Sequence, residues 1–169
     1  MAFESFTKKI YIKTALEKLY WCWGTPQGIT SWFLRDARYT AQEGQTVRGA
    51  SDKIEAGDHY RWEWHNWDGE ETGEVLHANG KDAIAFTFVN VCRLTISIEK
   101  QDDYVLLTLH QDQIPTDDKS KLHIHYGCSN GWTFWLTNLK AYLEHGILLN
   151  ETTINLRNVP MAELEFVNI

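Results

Sequence analysis

The sequence predicts an α+β fold, a run of antiparallel strands packed against a single long, tryptophan-rich helix that ends around Gly146. Three observations carry this expectation. Between Val47 and Gln111, apolar residues recur at every second position in successive segments, the period of half-buried strands. The turn clusters between these segments are short, which makes neighbouring strands antiparallel. Further on, Trp132, Leu136, Leu139 and Leu143 recur at spacings of four, three and four, one stripe of an α-helix. At 169 residues the chain has the size of one domain, enough to bury about two-thirds of its unfolded surface.

Phe6, Lys8, Ile10 and Ile12 alternate with Thr7, Lys9, Tyr11 and Lys13, which predicts a first strand. Thr14-Ala15-Leu16-Glu17 has the spacing of a capping box, so a short helix is expected from Ala15 to Gly24, with Leu16, Leu19, Tyr20 and Trp23 on its apolar stripe. Thr25-Pro26 then restarts a helix carrying Ile29, Trp32 and Phe33, since Thr caps well and Pro suits a first turn. Turn clusters fall at Glu55–Asp58, Trp67–Gly69, Asn79–Asp82 and Gln101–Asp103. Tyr60, Trp62 and Trp64 share a strand face opposite His59, Arg61, Glu63 and His65, and the alternation returns at Ile84, Phe86 and Phe88, at Leu94, Ile96 and Ile98, and at Val105, Leu107 and Leu109. The long helix that covers this face is expected to begin near Lys119, capped by Asp117 or Asp118. Gly127 and Gly131 each weaken it by about 1 kcal/mol relative to Ala, which is tolerable where something packs closely. The domain is taken as residues 1–149. Residues 150–169 are too apolar for a disordered tail, and dock on the domain or on a second subunit.

A net charge of −7 argues against a phosphate-tracking surface, so nucleic acid is not an expected partner. Met1–Ile10 lacks the layout of a secretory signal and no apolar run suits a membrane span, so a cytoplasmic protein without membrane association is expected. Cys22, Cys92 and Cys128 show no C-x-x-C spacing and read as small core residues rather than a disulfide or zinc framework. Eight tryptophans, seven tyrosines and seven phenylalanines serve equally a thick core or the walls of a pocket.

The order of strand, two short helices, sheet and long helix, together with Thr25-Pro26-Gln27-Gly28-Ile29-Thr30-Ser31-Trp32-Phe33 and the stretch Asn130–Glu144 that opens on Gly131-Trp132, resembles the START-like SRPBCC superfamily. Within it, the chain looks most like the activator of Hsp90 ATPase homologue-like branch, over roughly Phe6 to Gly146. The resemblance implies a helix-grip fold: a curved sheet wraps the long helix and leaves a cavity that in many relatives accepts a hydrophobic small molecule. It carries no shared catalytic set. The Hsp90-binding domain of the eukaryotic namesake has an N-x-N-N-W-H-W motif that Trp64-His65-Asn66-Trp67 does not match, so chaperone activation is not carried over.

Most polar clusters have bland readings. His123 and His125, two apart on a helix, point some 200° apart and cannot share a metal ion. His110 and Asp112 are read as surface or rim groups, Arg61, Glu63 and His65 as a solvent face, and Cys128 as a packed thiol. The expected function is therefore binding of a small hydrophobic or aromatic molecule between sheet and helix, with Trp62, Trp64, Phe86, Tyr126 and Trp132 as wall and Ser129 and Thr133 among its polar groups. No catalytic residue, metal or cofactor is expected. Two alternatives stay open: an enzyme, a cyclase or hydrolase using His65, Glu63 or His125, and a stress-linked or chaperone-associated interaction protein, with a homodimer through residues 150–169 as one form of contact.

Overall fold

The computed structural model describes residues 3–169. Its strands are β1 (Phe6–Ile12), β2 (Asp36–Thr40), β3 (His59–Glu63), β4 (Glu70–Ala78), β5 (Ala83–Phe88), β6 (Cys92–Gln101) and β7 (Tyr104–Asp112). They form one antiparallel sheet in the order β1-β7-β6-β5-β4-β3-β2, so the chain's first strand closes one edge beside its last. The helices are α1 (Leu16–Gly24), α2 (Pro26–Thr30), α3 (Asp118–Ser120), a π-helical turn (Lys121–Tyr126), α4 (Gly127–His145) and α5 (Ala162–Glu165). From α3 through α4 the helix is continuous and is called the long helix below. This is the helix-grip architecture: a curved sheet around a long C-terminal helix.

The long helix starts and stops where its end residues dictate. The Asp117 side chain accepts the Ser120 amide, satisfying one of the free N–H groups of the first turn. Gly146 takes a left-handed conformation at φ 69° and its N–H closes onto the carbonyls of Ala141 and Tyr142, the usual glycine stop. Thr25 caps α2 by accepting the Gly28 amide at 2.9 Å. The predicted capping box before α1 does not form. Ala15 occupies the cap position with no side-chain bond, which leaves Thr14 one residue too early.

Two further details depart from expectation. Strand β2 was not anticipated, because only Ala37 and Tyr39 of its five residues face the core. The stretch after Val47 is not a strand: apart from one bridge from Val47 to Thr40, its anchor is Arg48, whose Nε and Nη2 donate to the buried Asp58 carboxylate at 2.9 and 2.8 Å.

The core is aromatic. Trp62 is fully buried, lies 5.1 Å from Phe86 between ring centroids, and donates its indole N–H to Tyr39 at 3.0 Å. Trp132 packs 5.8 Å from Phe88 and 5.2 Å from Phe33, and donates to the buried Gln111 side chain at 3.3 Å. Within the long helix, Asn138 is completely buried and ties down the chain that follows: its amide donates to the Trp32 carbonyl at 2.7 Å and its oxygen accepts the Leu149 N–H at 2.6 Å. The segment that follows lies on the same chain. Asn66 donates to the Ile154 carbonyl, the Leu156 amide returns a bond to Asn66, Arg157 pairs with Asp68, and Leu156 and Ala162 are buried. Among the described residues no helix is long and apolar enough to cross a membrane.

Candidate functional site

The space between sheet and long helix is filled at its centre. Trp62 and Phe86 are fully buried and Trp132 is 3% exposed, so these three expected wall residues belong to the core instead. Strand alternation turns Trp62 and Phe86 inward and the helical stripe does the same for Trp132, where aromatic neighbours such as Phe88 and Phe33 pack against them. The open space lies to one side, as a half-open groove of about 790 Å³ bounded by the loop after β3, the start of β4, the β5–β6 turn, the long helix and the C-terminal segment.

Its walls are built from short-range rules. Trp64 follows the last residue of β3, where the strand has left the sheet, so its ring escapes the core and meets Phe33 edge-on at 6.3 Å. Along the long helix, Asn130 and Gly131 follow Gly127 by three and four residues and precede Phe134 by four and three, which aligns them on one face, with His123 four residues before Gly127. The glycines there do different jobs. A Cβ at Gly127 would come within 3.2 Å of the Leu164 side chain, so α5 packs against it, whereas at Gly131 it would meet nothing within 4 Å. Gly131 therefore opens the helix flank to the groove. Trp67, Phe88, Phe134, Leu164, Phe166 and Val167 are among its apolar lining.

Few polar groups converge on it. Glu71 lies on the wall and accepts the Val89 amide at 2.7 Å, clamping a turn in which Val89 and Asn90 both have positive φ. Burial raises its carboxyl above the ordinary range, and the amides of Val89 and Asn90 oppose that shift. At the other end, His123 Nδ1 stands 3.5 Å from Glu163, linking the π-helical turn to α5. The Cys128 thiol also borders the groove, but burial pushes it up to about 12, so it is a protonated, inert group at neutral pH. No lysine or arginine is among the described residues that line this groove.

Of the seven expected ligand-contacting residues, Trp64 and Thr133 border the groove. Tyr126 is 51% exposed and points instead to Phe3 and His125, and Ser129 uses its carbonyl to accept from the Thr133 hydroxyl at 2.9 Å. The residues suggested for proton transfer lie elsewhere. Glu63 is held between Arg35 and Arg61, which keeps its carboxyl below the usual range. His65 is lowered by burial and by Arg35, and the ring of His125 bonds the Phe3 carbonyl at 2.9 Å. His123 and His125 therefore diverge, one to α5 and the other to the N-terminal segment. His110 and Asp112 lie at the surface, where Arg93 pairs with Asp112 at 2.7 Å. Among the described residues no three His, Cys, Asp or Glu side chains gather as metal ligands do.

Phe134 was within reach of sequence reasoning, since it lies three residues after Gly131 on the same face. Phe166, Val167 and Leu164 were legible as apolar, but nothing local in the sequence says where they dock.

The model of the family described as activator of Hsp90 ATPase homolog 1-like protein matches residues 13–144. No curated protein matches the chain in sequence. Among solved structures it is similar to SSP2350 from Staphylococcus saprophyticus, with TM-score 0.67, 22% identity, and 85% of this chain covering 94% of that one. It is also similar to the Aha1 dimer from Colwellia psychrerythraea, with TM-score 0.64, 18% identity and coverage of 84% and 97%. A third, NE0264 from Nitrosomonas europaea, gives TM-score 0.67, 15% identity and coverage of 86% and 97%. At these identities the likeness is one of fold.

Proposed function

The chain belongs to the activator of Hsp90 ATPase homolog 1-like family, and on that premise we propose that it binds a small apolar or aromatic molecule in the groove beside the long helix, without catalysing its conversion. The observation that carries this reading is the open flank at Gly131, faced by Trp64, Trp67, Phe88 and Phe134 in a groove of about 790 Å³. That volume suits a drug-sized ligand, and aromatic walls with a few polar groups are the usual make-up of such sites. The acidic side chains at the walls are Glu71 and Glu163, so the favoured ligand is neutral or carries an amine, which aromatic rings and carboxylates both attract. Native mass spectrometry of the protein purified from its own source tests this. The expected result is an added small-molecule mass that is lost on denaturation. The bare chain mass, together with no saturable binding of an aromatic probe, would overturn the reading.

A second reading rests on the C-terminal half of the surface. Ile147, Leu148, Leu149, Ile154 and Val167 are 45–77% exposed, a large share of the exposed apolar side chains of this protein. A second copy seated there would cover them and border the same groove, and a relative of this fold is described as a dimer. Light scattering should then report a dimer that Leu148→Glu/Ile154→Glu dissociates. A monomer at every concentration would remove this reading and leave the groove proposal intact.

A further inference from the structure

A second concavity lies outside the groove, where the start of α1 meets the β4–β5 turn. It measures about 430 Å³ and has an apolar floor made by Leu16, Tyr20 and Trp21, with Lys53, Lys81 and Lys100 around its rim. We propose that this pocket binds an amphiphilic anion, an apolar or aromatic body carrying a carboxylate or phosphate group.

Four observations support the assignment. First, ion pairs among the described residues engage lysines only at Lys121 and Lys140, so the three rim ammonium groups have no carboxylate partner in a chain of net charge −7. Three unpaired lysines facing one cavity, in an acidic protein, favour a negative guest. Second, the Tyr20 hydroxyl accepts the Gly80 amide at 2.9 Å, and its proton goes to no acceptor among the described residues, although the side chain is only 3% exposed. Third, Lys18 lies 3.7 Å from the Trp21 ring centroid and Lys53 lies 5.6 Å from that of Tyr20, so the aromatic floor already sits in positive surroundings. Fourth, α1 has no side-chain cap at Ala15, which leaves first-turn N–H groups free at the pocket's edge. The opposing charges are Glu17 on the wall and Asp82 in the turn, the latter engaged by the Asn79 amide at 2.6 Å. Three ammonium groups outweigh them at the rim.

The parts divide the work by chemistry. Lys53 is held in place by donating to the Gly80 carbonyl at 2.7 Å, which fixes one charge beside Tyr20. Lys81 and Lys100 are exposed and unpaired, and close over a head group once it is bound. The apolar body lies on Leu16 and Trp21.

The test is an amide and indole NMR titration of the full chain with 2-naphthoate. The expected result is saturable shifts at the Gly80 amide and the Trp21 indole N–H, weakening as salt is added. Lys81→Met and Lys100→Met should each weaken binding about fivefold, the effect of about 1 kcal/mol for one charge pair in water. The double variant should lose roughly twenty-five-fold by the same arithmetic, while its melting temperature is unchanged because neither side chain forms an ion pair. Equal affinity of the neutral 2-naphthylmethanol for this pocket, read at the Gly80 amide and the Trp21 indole, shifts with 2-naphthoate confined to Gly131 and Trp64, or no saturable shift at all would each overturn the proposal. So would unweakened binding in the double variant.

Discussion

The groove beside the long helix and the pocket at α1 are lined by the same kinds of apolar residue but differ in sign. The groove carries Glu71 and Glu163 with one imidazole, and the pocket carries three lysines and a single wall carboxylate. If both concavities bind ligands as proposed, this difference in charge is what would keep two ligand classes apart. Apolar area would supply attraction at both places, and the different charge at the rims would reject the wrong guest. The two sites also arise differently. The groove exists because Gly131 withholds a side chain and the C-terminal segment adds a wall, whereas the pocket exists because an uncapped helix start and a turn meet over an aromatic floor.

The comparison breaks first where a residue is core and not wall. Trp62→Ala should cost about 3–5 kcal/mol of stability, the usual range for a buried tryptophan, whereas Trp64→Ala should cost about 1 kcal/mol and act mainly on binding in the groove. Urea denaturation of both variants reads the contrast. Equal losses would mean that Trp64 is as much a part of the core as Trp62.

Removal of residues 151–169 comes next. It strips the buried Leu156 and Ala162 and one wall of the groove. Stability should fall by about 2 kcal/mol on the burial of Leu156 alone, and an aromatic probe should bind at least tenfold more weakly in the groove, a loss of about 1.4 kcal/mol. Binding of 2-naphthoate at α1 should not change. An unaltered melting temperature would show that the segment does not hold the fold.

The paired glycines give a smaller but sharper effect. Gly131→Ala should stabilise by up to about 1 kcal/mol, the helix propensity difference, because the new methyl meets open space. Gly127→Ala should gain little or nothing, since the Leu164 side chain 3.2 Å away has to yield. Thermal melts of the two variants decide whether the glycines differ as their surroundings do.

The smallest effect concerns pH. Glu71 has a folded-state pKa raised by burial, so the folded state holds its proton more tightly than the unfolded state. Its contribution to stability is fully present below the ordinary carboxylate pKa and is lost as pH rises through the raised value. Glu71→Gln should therefore exceed the parent in stability near neutrality, and the gap should narrow on acidification through that window. A gap that is constant with pH would remove burial as the cause.

Much of the fold was legible because the patterns are long and periodic. The stripe from Trp132 to Leu143, the strand faces from Tyr60 to Leu109 and the stop at Gly146 all appear in the expected places. Local chemistry was less reliable, as the uncapped start of α1 shows: Thr14 has the right identity but sits one residue from the position that needs it. The lining of the candidate groove was legible in part, at Trp64 and Thr133. Alternation tells which way Trp62 and Phe86 face, yet whether a face is packed or hollow depends on neighbours from β2, α2 and the long helix that no spacing rule brings together. The glycine-interrupted flank was the informative signal, and it led to Gly131 and Thr133 rather than to Tyr126. The wall supplied by Leu164, Phe166 and Val167 follows from docking of the C-terminal segment, which Asn66 holds through a bond to Ile154, 88 residues further along the chain.

The central claim, that the Gly131 flank is a binding surface, is tested most directly by filling it. The measurement is an NMR titration of the parent chain and of Gly131→Phe with the neutral probe 2-naphthylmethanol, reading the Trp64 indole N–H. Saturable shifts are expected in the parent and should vanish in the variant while its melting temperature holds. Equal binding by both proteins, or no saturable shift in either, would contradict it.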